Sequence, residues 1–477
     1  MVDEAQDGPS LRSHTGRIRH LDAARARELV AIFARPVTAA GDRIGYDDRD
    51  PVTAATWGWL SLEQTAGAAA SPGVVGHYGV HLYLHELLRL PPSVARELAA
   101  HRGHLYLDKL ATLSPGAAAA LAEHRGGGLS LNSLRWLPPD VAAALGRHDG
   151  PLTFKRVRIL GPKAAAGLAA HRHELWLDGL EQLPARIAAA LALHGGDLQL
   201  GSLRRISARA AVHLARHRGR LHLHGPTSLT VRAAAAFGRR EGFLCLRDVR
   251  RLSPAQAARL ARHKGPLLFH GLQVDDTVAT LLGRHEGSLA VRVDDAIPLP
   301  RLRALLQHVG QVALNGITTI DERRADVLAA QRLWHDAPGL SGLFLNDVTR
   351  LTPAAAGILA THRAGGLSLN GLKLLSEDLA TRLLPHPLLC LDGVKSLTDR
   401  VAGVLASYEG AVLSLKGLER ASRQAIARLR DNPRIELPAR LLEPVEQRPQ
   451  GDGCCSREAM IAAIEAVARR GEQALRA

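Results

Sequence analysis

The chain is poor in the residues that usually announce chemistry. Its 477 residues include four cysteines, two methionines and 3% aromatics. The thiols are Cys245, Cys390, Cys454 and Cys455, with no Cys-x-x-Cys pair and no Cys/His spacing of a zinc site. That excludes a disulfide framework, makes a structural metal unexpected and points to a reducing, cytoplasmic compartment. No apolar run approaches the twenty residues of a membrane-spanning helix, so no membrane partner is expected. The longest apolar stretch near the start, Leu29 to Ala34, is too short for a signal-peptide core. Nucleophile-elbow, phosphate-loop, zinc-protease and dinucleotide fingerprints are also missing. The chain therefore reads as non-enzymatic, with no catalytic residue, cofactor or metal. Asp294-Asp295 reads as a turn, and Asp47, Asp48 and Asp50 as a solvated loop without calcium-loop spacing.

Positive charge is plentiful. The formal net charge is +15, and the excess lies between residues 79 and 437, because both flanks are balanced or slightly acidic. Arginine supplies nearly all of it. A basic chain attracts nucleic acid, anionic lipid or acidic protein, and charge alone does not choose among them.

Repetition is the dominant signal. The stretch Gly242 to Gly265, GFLCLRDVRRLSPAQAARLARHKG, holds a Leu-x-Leu pair (Leu244, Leu246), two later apolar residues (Val249, Leu252), Ser-Pro, an Ala/Leu-rich segment and a closing His263. The second member of the pair recurs at Leu62, Leu84, Leu107, Leu131, Phe154, Leu177, Leu200, Leu223, Leu246, Phe269, Val291, Leu314, Leu345, Leu369, Leu391, Leu415 and Leu437. Steps are 22 to 24 residues, except for one of 31 between Leu314 and Leu345, where the extra residues fall around Trp334 to Gly342.

Leu-x-Leu alternates with period two, so the leucines face inward and the residue between them, with the one after, faces outward. Ser114-Pro115, Ser253-Pro254 and Thr352-Pro353 read as N-cap plus first-turn proline. About ten helical residues follow each, too few to be stable except against neighbouring strands. The expected fold is an α/β repeat solenoid, a horseshoe or arc with short parallel strands on the concave face and short helices on the convex face.

Period, Leu-x-Leu strand and later leucines (Leu367, Leu369, Leu372, Leu375) resemble the leucine-rich-repeat family over about residues 58–437. The chain departs where that family usually has L-x-L-x-x-N-x-L: here it reads L-x-L-x-G-L, as from Leu175 to Leu180, and the asparagine ladder is missing. The resemblance implies a sheet face used mainly for binding. The expected organisation is an N-terminal cap helix and loop over 1–57, a solenoid of about 17 repeats over 58–437, a linker over 438–455 and a C-terminal helix over 456–477. The cap helix is read at Leu21 to Ala34, with Leu21, Ala24, Leu29, Ile32 and Phe33 on one side.

Histidine recurs once per unit at the helix end: His101, His124, His148, His171, His194, His217, His263, His285, His308, His362 and His386. A catalytic site needs convergence on one point, so this spread reads as packing plus donation to the last helix carbonyls, favoured by the helix dipole. The arginines beside them, from Arg102 to Arg363, and Lys264 share that reading; a stripe tracking phosphates is the alternative.

The outward strand positions vary while the frame does not. They supply the expected partner-binding residues: Tyr83, His85, Tyr106, Asp108, Asn132, Lys155, Trp176, Asp178, His222, His224, Arg247, His270, Arg292, Asn315, Phe344, Asn346, Asn370, Asp392 and Lys416. A solvated sheet face would be polar as well, but aromatics are scarce in this chain, and several of them sit in this row as anchors for a partner. The leading expectation is a binding scaffold for a protein or peptide. The runner-up is nucleic acid held by the basic helix-end edge with the variable residues facing bases. Nothing in the sequence sets the oligomeric state.

Overall fold

The computed structural model describes residues 18–33, 81–438 and 441, apart from 126, 309, 332–341 and 363–364. The repeat expected at Gly58, the Asp42–Pro51 loop, the Trp334 insertion, the linker beyond Pro438 and the C-terminal helix lie outside the described residues. Contacts group the repeats into two compact units, one closing at Pro226 and the other opening at Thr227.

In the first unit seven strands follow one another: β1 Leu82–Tyr83, β2 Leu105–Tyr106, β3 Leu129–Ser130, β4 Leu152–Thr153, β5 Leu175–Trp176, β6 Leu198–Leu200 and β7 Leu221–Leu223. Each pairs in parallel with the next, and the register aligns Leu82, Leu105, Leu129, Leu152, Leu175, Leu198 and Leu221 in one column. Every leucine of that column is sealed from solvent. At about 1.5–3 kcal/mol per buried leucine, such columns are the main stabilising contribution.

In the second unit the main sheet runs β8 Leu244–Leu246, β9 Leu267–Phe269, β10 Leu289–Arg292, β11 Gln311–Asn315, β13 Gly342–Phe344, β15 Gly366–Ser368, β16 Leu388–Cys390, β17 Val412–Ser414 and β18 Ile435–Glu436, again all parallel. A small side pair, β12 Thr319–Ile320 with β14 Arg350–Leu351, frames the long repeat. Beside it Asp295 accepts the backbone N–H groups of Thr318 and Thr319 at 2.8 and 3.1 Å, which makes the Asp294-Asp295 pair part of a turn.

A helix follows almost every strand, and the expected starts are in place. Ser114 and Thr352 each cap a helix that has proline in its first turn, and Ser253 completes a reciprocal capping box with Gln256. The repeat helices are seven or eight residues long rather than ten, as at Pro115–Leu121 and Asp399–Ala406. The last residues of the Ala/Leu-rich run are spent on the turn that carries the histidine, because the chain must return to the next strand within one short period.

The L-x-L-x-G-L signature has a steric cause. A side chain at Gly393 would strike the Asn370 carbonyl, and one at Gly417 the Asp392 carbonyl. The turn packs backbone against backbone, and glycine is what permits the approach. At the N-terminal end the helix Ala23–Phe33 buries Ala26 and Leu29, with Leu21 buried just before it, and ties Arg27 to Glu97 at 2.6 and 2.9 Å, across to the helix Pro92–Leu98. Ala26 takes the inward place expected of Ala24, which is exposed.

Candidate functional site: the outer strand face and the histidine column

Side chains on the outer face of the sheet bond first to one another. In the first unit Asp108 Oδ1 accepts from the Ser130 hydroxyl at 2.6 Å and from the Asn132 N–H at 3.4 Å, and Asn132 Oδ1 accepts the Lys155 N–H at 3.1 Å. In the second unit Asn346 Oδ1 accepts the Ser368 hydroxyl at 2.7 Å and the Asn370 N–H at 3.4 Å. Asn370 Oδ1 in turn takes the Asp392 N–H at 2.8 Å, and Asp392 Oδ1 the Lys416 N–H at 2.8 Å. The asparagine ladder of the family's own position is missing, as the sequence implied; a different, partial row of Asn and Asp directly after the Leu-x-Leu pair joins some turns to the next. Asp108, Asn132, Asn346, Asn370 and Asp392 hold one turn to the next, so their acceptor oxygens are already in use.

Exposure divides the remaining positions. Tyr83 (4%), His224 (8%) and Phe344 (2%) are buried rather than presented as anchors. Tyr83 stacks on Tyr106 at 4.4 Å, within a group that includes His81, His85 and His104, and His85 Nδ1 lies 3.3 Å from Asp108 Oδ2. Phe344 closes an apolar row with Cys245, Leu268, Ala290 and Ala313, flanked by Phe243. His222 meets His224 edge to face, and burial pushes it down to about 3. Arg247, His270 and Asn315 are half-buried; Lys155, Arg292 and Lys416 are exposed, with Lys416 paired to Glu436 at 2.8 Å.

The repeats β4 to β6 bring several of these residues together. Thr153, Trp176 and Gln199 are register partners, so they form one row, with Lys155 and Asp178 in the next. Gln199 Nε2 donates to Asp178 Oδ2 at 3.2 Å, and Trp176 Nε1 to Glu174 Oε2 at 3.4 Å. Burial raises both carboxyls, Glu174 and Asp178, above their ordinary range. Glu174 was not among the expected binding residues. Its signal is the alternation Glu174, Trp176, Asp178, which extends period two by one residue before the leucine pair.

The helix-end histidines form a second column, inside the protein. All eleven are at most 3% exposed. In the first unit successive rings from His101 to His217 stand 5.5 to 6.5 Å apart and stack. Desolvation dominates their titration: His148 is pushed down to about 3, and His124 and His171 to about 4. In the second unit His285 is pushed down to about 3, and His263 and His308 to about 4. Burial favours the neutral form at these six rings, so the dipole argument, which requires a cation, does not explain them. Nor do they serve their own helix ends. His124 Nε2 is 3.0 Å from the Gly103 carbonyl and His148 Nε2 3.2 Å from that of Gly127, both on the preceding turn. Other residues fill the same slot. Gln331 Nε2 donates to the Gly310 carbonyl at 2.8 Å, and the Tyr408 hydroxyl reaches the carbonyls of His386, Pro387 and Val412.

Repeated parallel strands, alternating short helices and internal ladders define an α/β repeat solenoid of the leucine-rich-repeat type. No protein-family model and no curated protein matches the sequence. Among solved structures the chain is similar to a Leptospira interrogans LRR protein, at 15% identity over 76% of this chain and 83% of that one, TM-score 0.34. It is also similar to the Drosophila Toll–Spatzle complex structure, at 14% identity over 71% of this chain, TM-score 0.35, where it spans 48% of the matched chain. A third similarity is to the mouse RP105/MD-1 complex, at 14% identity over 77% and 74% of the two chains, TM-score 0.32.

Proposed function

We propose that the chain is a non-catalytic scaffold whose outer strand face in the first unit binds a protein or peptide. The observation that carries this reading is Trp176. Its indole is half-exposed on the sheet face, between exposed Lys155 and the Glu174 and Asp178 carboxyls. An amphipathic ring beside one cation and two partly desolvated acids suits a partner that brings apolar surface and a basic group. On binding, a donor facing Glu174 or Asp178 would lower that carboxyl again, toward its ordinary range. A cytoplasmic setting belongs to the same proposal. The Cys390 thiol donates to Asn370 Oδ1 and Asp392 Oδ2 at 3.3 and 3.1 Å, and burial pushes it up to about 12, an arrangement suited to a reducing compartment.

Affinity capture from the native lysate, with and without nuclease, tests the reading. A protein retained by the full chain after nuclease treatment, and lost with W176A or K155E but not with R400A on a helix, supports it. Capture that is indifferent to W176A and K155E refutes it.

A second reading rests on Arg102, Arg125, Arg147, Arg172, Arg216 and Arg218. These exposed side chains flank the histidine column of the first unit. They suit the phosphates of a nucleic acid, whose affinity would fall steeply with salt. Weak binding with a flat salt dependence removes this reading and leaves the first intact.

A further inference from the structure

We propose that the column of stacked, buried histidine rings makes the first unit acid-responsive, with proton uptake along the column opening the helix-end turns while the sheet is still formed. The geometry carries the argument. His101, His124, His148, His171, His194 and His217 stand in one uninterrupted buried row. A proton on any ring places a cation about 6 Å from the next ring, where little water can screen it.

The groups facing the row do little to compensate. Asp149 lies near His148 but is taken by His173 at 2.6 Å, and His173 itself approaches His171 at 5.9 Å. Asp197 lies near His194 and spends Oδ1 on the Arg220 N–H. His104 faces His101 and His124 from the strand side, with Asp108 beyond it. The carbonyls of His148 and Glu174 near His171, and those of His171, His173 and Asp197 near His194, favour a proton only weakly and stand outside hydrogen-bond geometry. In the second unit the comparable row is broken. Arg240 stands before His263, Gln331 separates His308 from His362, and Tyr408 follows His386. The first unit is therefore the one expected to yield.

The sign follows from linkage. In the folded state burial pushes His148 down to about 3 and His124 and His171 to about 4, and lowers His194, whereas in an open turn such rings titrate near 6.5. Opening therefore takes up protons, and the stability they contribute is complete above about 6.5 and lost as pH falls toward about 4 and about 3. Within that window each ring multiplies the opening equilibrium about tenfold per pH unit.

The test uses the full chain. Amide exchange and urea denaturation are followed from pH 7.5 to 4.5 for the wild type, for H148Q/H171Q/H194Q and for H213Q, a histidine outside the column. Glutamine is chosen because Gln331 already occupies this slot. Exchange at His148 and His171, whose N–H groups bond to Leu145 and Leu168 at 3.0 Å, should accelerate below pH 6.5 before that at Leu152 and Leu175 in the strands. The triple variant should flatten the acid limb by at least about a hundredfold per pH unit, His148 and His171 contributing about tenfold each, and H213Q should not. An acid limb unchanged in the triple variant overturns the proposal, as does simultaneous exchange of turns and strands. Should the triple variant not fold at pH 7.5, the wild-type ring resonances decide: column histidines titrating near 6.5 in the folded protein overturn the proposal, and rings silent until opening support it.

Discussion

Asp392 and Tyr408 solve the same local problem with different chemistry. Each supplies partners for backbone groups that a short strand leaves over, N–H in the first case and C=O in the second. Removing Tyr408 takes a donor from buried carbonyls, and removing Asp392 leaves the buried Ser414 hydroxyl as well as the Lys416 N–H without an acceptor, which costs about 1–3 kcal/mol. D392A should therefore lower the urea midpoint, and Y408F should do the same because the carbonyls of His386, Pro387 and Val412 lose the one hydroxyl hydrogen they share. The Lys416 ammonium, on the same face, is exposed and pairs with Glu436, so K416A should leave the midpoint nearly unchanged. Equal losses for all three would contradict the ladder. At this scale the sequence is hardest to read. Asn132 and Asp392 look like changeable surface residues because pattern reveals polarity, not that an oxygen reaches the N–H of the following turn. The histidines were legible in position but not in state, since whether burial or the dipole wins depends on how well the turn excludes water.

At the scale of the element, propensity and packing divide the work. A seven-residue helix has little stability of its own, so its start must be well made and its apolar side well covered. S253A removes one half of the capping box and should cost about 1 kcal/mol. L200A should cost more, about 2–5 kcal/mol, because it opens a cavity in the leucine column. Thermal denaturation monitored by circular dichroism ranks the two, and the reverse order would mean that caps, not columns, hold the repeat. Strand register and helix starts were readable because Leu-x-Leu and Ser-Pro are local signals. Helix ends were not: Ala and Leu continue the helical pattern into the turn, and only the need to close a 22–24-residue period stops them.

For the whole molecule the +15 charge matters more than any single ion pair. Many exposed arginines on one chain repel each other, and salt screens them over about 8 Å at 0.15 M. The melting temperature should accordingly rise between 20 and about 300 mM sodium chloride. A fall would show that specific pairs such as Arg27–Glu97 and Lys395–Glu419 outweigh the repulsion. Fold class was legible from the repeat alone. The binding face was only partly so, because the same period that places Trp176 on the surface also places Phe344 there, and the structure buries Phe344.

The Oδ1 of Asp108, Asn132, Asn370 or Asp392 takes a backbone N–H from a chain segment that comes later. The two lips of a cut at such a junction are therefore unlike: one keeps an acceptor without its donor, the other a backbone donor without its acceptor. Genetic gain or loss of whole turns should thus be tolerated best where that junction holds no such oxygen, around Arg247 to Arg292, and worst between Asn346 and Lys416.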